Sequence, residues 1–169
     1  GMMETSLPVA GVVTFDLAQQ PLRELNRVLH QDAAGLKQIR VINPDGAHNI
    51  AVGVNAAVEV EVMGHAGYYC AGMNQSANIT VHGNVGPGVA EGMTSGLVRV
   101  KEYASVAAGA AGHGGLLVIE GDASLRCGIS IKGIDIVVGG SVGDFTGFMA
   151  QTGRIVVCGD AGDALGDSL

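Results

Sequence analysis

A chain of 169 residues is long enough for one domain with a sizeable core. Its formal charge of −7 and pI near 5.0 exclude a nucleic-acid partner or an anionic membrane surface, because both need basic patches. The 28 glycines follow no Gly-X-Y period, which excludes collagen, and a 47% hydrophobic content excludes disorder.

Glycine and β-branched residues at this density point to many short strands with tight corners. No stretch approaches the ~20 apolar residues of a membrane span and no secretory signal opens the chain, so no membrane contact is expected and the expected compartment is the cytoplasm. Gly1 ahead of Met2 reads as an expression scar. Asn78-Ile79-Thr80 is a formal glycosylation sequon, without meaning in a cytosolic chain.

Taken in chain order, Val9-Ala10-Gly11-Val12-Val13-Thr14-Phe15-Asp16-Leu17 reads as a strand. Asp16 or Gln19 then leads into a helix, with Pro21 suited to its first turn. Leu22, Leu25, Val28 and Leu29 stand at helical spacing and form one apolar stripe. Gly35 is the expected stop. Residues 1–40 are thus expected to form a strand–helix cap that packs on the open end or flank of the remaining chain.

Residues 41–169 are periodic. Cuts at Val41, Val60, Ile79, Val98, Leu117, Ile136 and Ile155 give windows of 19 residues with no insertion. Place one is always Val, Ile or Leu. Place three is Val62, Val81, Val100, Ile119, Val138 and Val157, with Asn43 the exception. Two apolar residues spaced by two share one face of a strand. Place two (Glu61, Thr80, Arg99, Val118, Val137, Val156) should face out. Place seven is small and apolar, and glycines recur at places five, eight and twelve. Stacking such units sets like residue on like every ~4.8 Å, with glycine allowing positive φ at the corners. The reading is all-β: a single-stranded right-handed parallel β-helix. Left-handed β-helices are built from six-residue units, and 19 is not a multiple of six.

Candidate chemistry is sparse. Cys70 and Cys127 share a column three coils apart, about 14 Å at ~4.8 Å per coil, too far for a disulfide. With Cys158 in another column, no metal cluster forms, and all three read as buried core thiols. His48, His65, His82 and His113 fall in four different columns. His48 and His65 lie near adjacent corners and could meet, but corner hydrogen bonding suits the histidines better than catalysis. Asp122 and Asp160 share place six, Asp144 and Asp163 place nine, as solvated corner carboxylates. The glycines lack the strand–helix context of a nucleotide loop. Tyr68, Tyr69, Phe145 and Phe148 are four of six aromatics, and they would mark a partner surface if exposed together.

The glycine columns spell G-x-x-G-x-x-x-G. The motif is complete at Gly140, Gly143, Gly147 and at Gly159, Gly162, Gly166. It is relaxed to Ala at its end in Gly64, Gly67, Ala71 and in Gly83, Gly86, Ala90, and to Ser in its middle in Gly121, Ser124, Gly128. This resembles the GXGXG domain, the C-terminal β-helix of the glutamate synthase large subunit, which is also similar to one subunit of formylmethanofuran dehydrogenase. The stretches NPDGAHNIAVG, GHAGYYCAGMN, HGNVGPGVAEGM and AAGHGGLLVIEGDASLRCGIS are more narrowly similar to the free-standing small subunits of N-methylglutamate synthases.

The resemblance implies a scaffolding subunit with no catalytic, cofactor or metal residue of its own. A glutaminase-like amidotransferase subunit and a second subunit carrying FMN and an iron–sulfur cluster would be its partners. The alternatives are a subunit of a formylmethanofuran dehydrogenase-like complex, a homo-oligomer, and a solitary β-helix polysaccharide hydrolase or lyase. The last window is four residues short where the family continues into another strand, which would leave an edge uncovered.

Overall fold

A computed structural model describes residues 10–161 of the chain. Val9, Gly162, Asp163 and Gly166 lie outside them. The apolar–polar–apolar triplets form short strands, as their period of two requires. They are β1 (Val12–Asp16), β2 (Gln38–Ile42), β3 (Glu59–Met63), β4 (Asn78–Val81), β5 (Leu97–Val100), β6 (Leu116–Ile119), β7 (Lys132–Val138) and β8 (Thr152–Val157). One helix, α1 (Leu22–Gln31), lies between β1 and β2. All eight strands form one parallel sheet in sequence order. The chain leaves each strand, circles, and returns beside it, giving a parallel β-helix of about six turns.

The register keeps to the period. Val60 pairs with Ile79, Ile79 with Val98, Val98 with Leu117, Leu117 with Ile136 and Ile136 with Ile155. Place one is fully buried from Val60 to Ile136, and place three from Val62 to Val138. Each such side chain contributes about 1.5–3 kcal/mol relative to exposure. The small residues of place seven form a second line of parallel bridges, Ala66–Val85–Ala104–Ala123.

The first coil departs from the expected cut. Ile39 pairs with Val60 and Val41 with Val62, a step of 21 residues. Val41 therefore occupies place three, and Asn43 is not an exception within that column. The two extra residues lie in the corner Asn43–Gly46. There Asn43 and Asp45 adopt φ of 52° on either side of buried Pro44.

The strand–helix segment is part of the solenoid. β1 is the first strand of the sheet, pairing Phe15 with Val41. Leu25 and Leu29 of α1 are fully buried in the same core, with Leu22 and Val28 packed against it. The helix ends at Gln31, ahead of Gly35, which serves the next turn instead. Its polar face completes the open end. Inside the stack the N–H of Ala71 donates to the Ile50 carbonyl of the coil below, and that of Ala90 to Cys70. Ala51 has no such coil below it, and its N–H donates to Asn26 Oδ1 at 3.0 Å. Asn26 Nδ2 donates to the Asn49 carbonyl at 2.8 Å.

The glycine columns divide into two physical classes, which corrects the expectation that all of them supply positive φ. At places five and eight the constraint is space. A Cβ on Gly83 would sit 2.8 Å from the Gly64 carbonyl carbon, one on Gly86 2.8 Å from that of Gly67, and one on Gly121 2.5 Å from the Glu102 oxygen. Only place twelve is a left-handed column, with Gly128 at φ 71° and Gly147 at 73°, and there Ala71 and Ala90 adopt φ of 59° and 57°. Alanine fits at place twelve because no neighbouring backbone bars its Cβ.

Three outcomes are expected. Gly83→Ala should lower unfolding free energy in urea melts by about 2–4 kcal/mol, because stacked backbones must part. Gly128→Ala should cost only about 1 kcal/mol, since a left-handed alanine is already used in that column; equal costs would remove the distinction. Asn26→Ala should cost about 1–3 kcal/mol by orphaning the Ala51 N–H, with Asn26→Asp milder because it keeps the acceptor. In a native thiol titration only Cys158, which is exposed, should react quickly. Burial holds Cys70 and Cys127 as thiols, each with its pKa pushed up to about 12. A second fast thiol would contradict the packing.

Candidate functional site

The corner after each strand is a hydrogen-bonded ladder running along the solenoid axis. At place six His65 Nδ1 accepts the Asn84 N–H at 2.9 Å, and Asn84 Oδ1 accepts the Tyr103 N–H at 3.0 Å. Asp122 Oδ1 accepts the Ser141 N–H at 2.8 Å, and Ser141 Oγ the Asp160 N–H at 3.0 Å. Each acceptor leans over the place-five glycine of the next coil; a Cβ on Gly83 would meet His65 Nδ1 and one on Gly159 would meet Ser141 Oγ. Glycine at five and a short acceptor at six are thus one device. It accounts for Asp122 and His65 without catalysis. His48 and His65 do not meet: His48 Nδ1 accepts the Tyr68 N–H at 2.8 Å, and the His48 and Tyr68 rings lie 4.3 Å apart.

Tyr103 is the odd member of this ladder. It offers no short acceptor, and its side chain is 53% exposed. The signal was present in the sequence, as one aromatic in a column of His, Asn, Asp and Ser, but it was not read there.

The outer sheet face carries pairs that bridge neighbouring coils. Glu61 meets His82 at 2.5 Å, and Glu120 accepts from both Arg99 and Lys101. Arg154 grips Asp135 through two nitrogens. Those cations hold the Glu120 and Asp135 carboxyls below their ordinary range, mainly through these hydrogen bonds. Such exposed pairs fix register more than they add stability. Between them Val118 and Val137 are half-buried and Val156 is exposed. On β8 Ile155 and Val157 are only partly buried, and Cys158 just beyond it is exposed, so it is not a core thiol.

The opposite flank is apolar. Places nine and ten bring Tyr68 and Tyr69 together, both about half exposed, with ring centroids 6.3 Å apart. Four coils on, Phe145 is exposed and Phe148 half-buried, 5.7 Å apart. The four aromatics thus form two pairs about 19 Å apart along one flank, at ~4.8 Å per coil. Met73 and Met149 stand exposed beside them at place fourteen. Between the pairs run half-buried Pro87 and Val106 and exposed Leu125.

One further concavity, an open groove of about 580 Å³, lies beside the inserted corner. Leu17, Leu22, Asn43, Asp45, Met63 and His65 line it. Among the described residues no three His, Cys, Asp or Glu side chains converge as metal ligands. No helix there is long and apolar enough to cross a membrane.

No family model and no solved structure matches the chain. Among curated proteins it is similar to Protein GlxC of Rhizobium meliloti (strain 1021), with 58% identity over 86 residues. That match takes in 50% of this chain and 38% of that protein. At this identity, half of this β-helix is homologous to part of Protein GlxC.

Proposed function

We propose that this chain is a scaffolding subunit of a glutamate synthase-like complex, and more narrowly of an N-methylglutamate synthase. The observation that carries the reading is the 58%-identical stretch shared with Protein GlxC, whose name suggests such a subunit. The phased glycine columns support it, through their resemblance to the GXGXG domain of glutamate synthases. In this reading the partners are a glutaminase-like amidotransferase subunit and a subunit carrying FMN and an iron–sulfur cluster, and the assembly works in the cytoplasm. The β-helix contributes a rigid spacer. Each coil is pinned to the next through backbone hydrogen bonds, the corner ladder and cross-coil ion pairs, so flanking subunits would be held at a fixed distance.

The test is co-expression of the chain with the glutaminase-like and FMN-domain subunits of its own host. The expected outcome is one complex on size-exclusion chromatography containing all three chains and stable to dilution. Elution of this chain apart from both partners would sink the proposal.

A further inference from the structure

We propose that the apolar flank is a docking trough for one amphipathic α-helix of a partner subunit, laid across the solenoid axis. The inference rests on the scaffolding reading and says where and how the partner is held.

Places ten and fourteen both point outward, and their residues rise and fall together along the stack. Tyr69 and Met73 form one wall, Phe145 and Met149 the other, all 42–64% exposed. Ala107 and Ala111 lie midway and are half-buried. The first wall leans inward, because the Tyr69 ring lies over Gly88; a Cβ there would come within 2.6 Å of Tyr69 Cδ1. From the Gly88 coil to the Phe145 coil is three steps, roughly 14 Å at ~4.8 Å per coil. An α-helix with its side chains is about 10–12 Å across. A strand would leave the trough half empty. A strand would also find few backbone partners here, because the coils beneath bond to one another, as in Gly88 to Val106 and Ala107 to Leu125.

Charge gives the trough a direction. Glu91 is exposed beneath the Tyr69 wall and Arg126 on the Phe145 side. Neither joins an ion pair among the described residues. The fitting helix carries a small apolar face, a basic residue towards Glu91 and an acidic residue towards Arg126. A second copy of this chain suits the trough less well. In an antiparallel pair the tall walls would meet each other and hold the alanine floors apart.

The co-expressed complex provides the test. Ala107→Arg and Ala111→Glu fill the floor from outward-facing positions, and Tyr69→Ala lowers a wall. Each should weaken assembly at least about tenfold while leaving the melting curve of the isolated chain unchanged. Arg99→Ala, on the opposite face, should leave assembly unchanged. A photo-cross-linking residue at Ser130 should label partner residues spaced three or four apart. Wild-type assembly that is insensitive to the trough variants would overturn this inference and leave the scaffolding reading standing. Labels at every second residue would replace the helix by a strand and overturn it too. If the wild-type chain assembles with neither partner, both readings fall. A variant that also unfolds the chain is set aside in favour of Ala111→Glu, whose small host residue is least involved in packing.

Discussion

Each coil of this protein must sit at strand spacing, ~4.8 Å, on the one before it. That distance admits a backbone hydrogen bond and little else. Wherever two coils cross closely, the residue above must lack a Cβ, as Gly83 does over Gly64 and Gly86 over Gly67. Where the chain turns, the extra room of an outward corner lets a short side chain reach up to the next coil's N–H. Space, more than conformational freedom, therefore sets the glycine pattern.

The same spacing organises the outside. Any residue repeated at one place becomes a stripe parallel to the axis, so each face acquires one character. The sheet face holds cross-coil ion pairs, the place-six corner holds side-chain-to-backbone bonds, and the far flank holds aromatics and methionines above small residues. A stacked repeat can thus present a long, stiff surface of uniform chemistry without a single projecting loop. The inserted corner Asn43–Gly46 is the main break in that uniformity, and it borders the open groove.

The ends of a solenoid leave backbone groups that the next coil would have satisfied. At the N-terminal end α1 takes that place, burying Leu25 and Leu29 and lending Asn26 as both acceptor and donor. A helix can do this because its own backbone is satisfied internally. It presents an apolar stripe to the core and spare polar side chains to the exposed rim.

The sequence by itself determined the 19-residue period, the parallel β-helix, and the inward direction of places one and three. These depend on alternation within a few residues, which any stretch of chain displays locally. It also revealed the helix stripe and named the four aromatics. Only the tertiary structure decided the rest. The first coil is longer than its window, because pairing tracks Ile39 and Val41 and not the nearest cut. Cys158 lies outside the core, because place four of the last coil faces out. His65 and Asp122 answer N–H groups 19 residues ahead, and Tyr103 turns outward where its column otherwise turns in. Contacts across coils depend on which residue lies ~4.8 Å above another. A linear reading supplies the register for that, but neither the clearance nor the direction of the side chains.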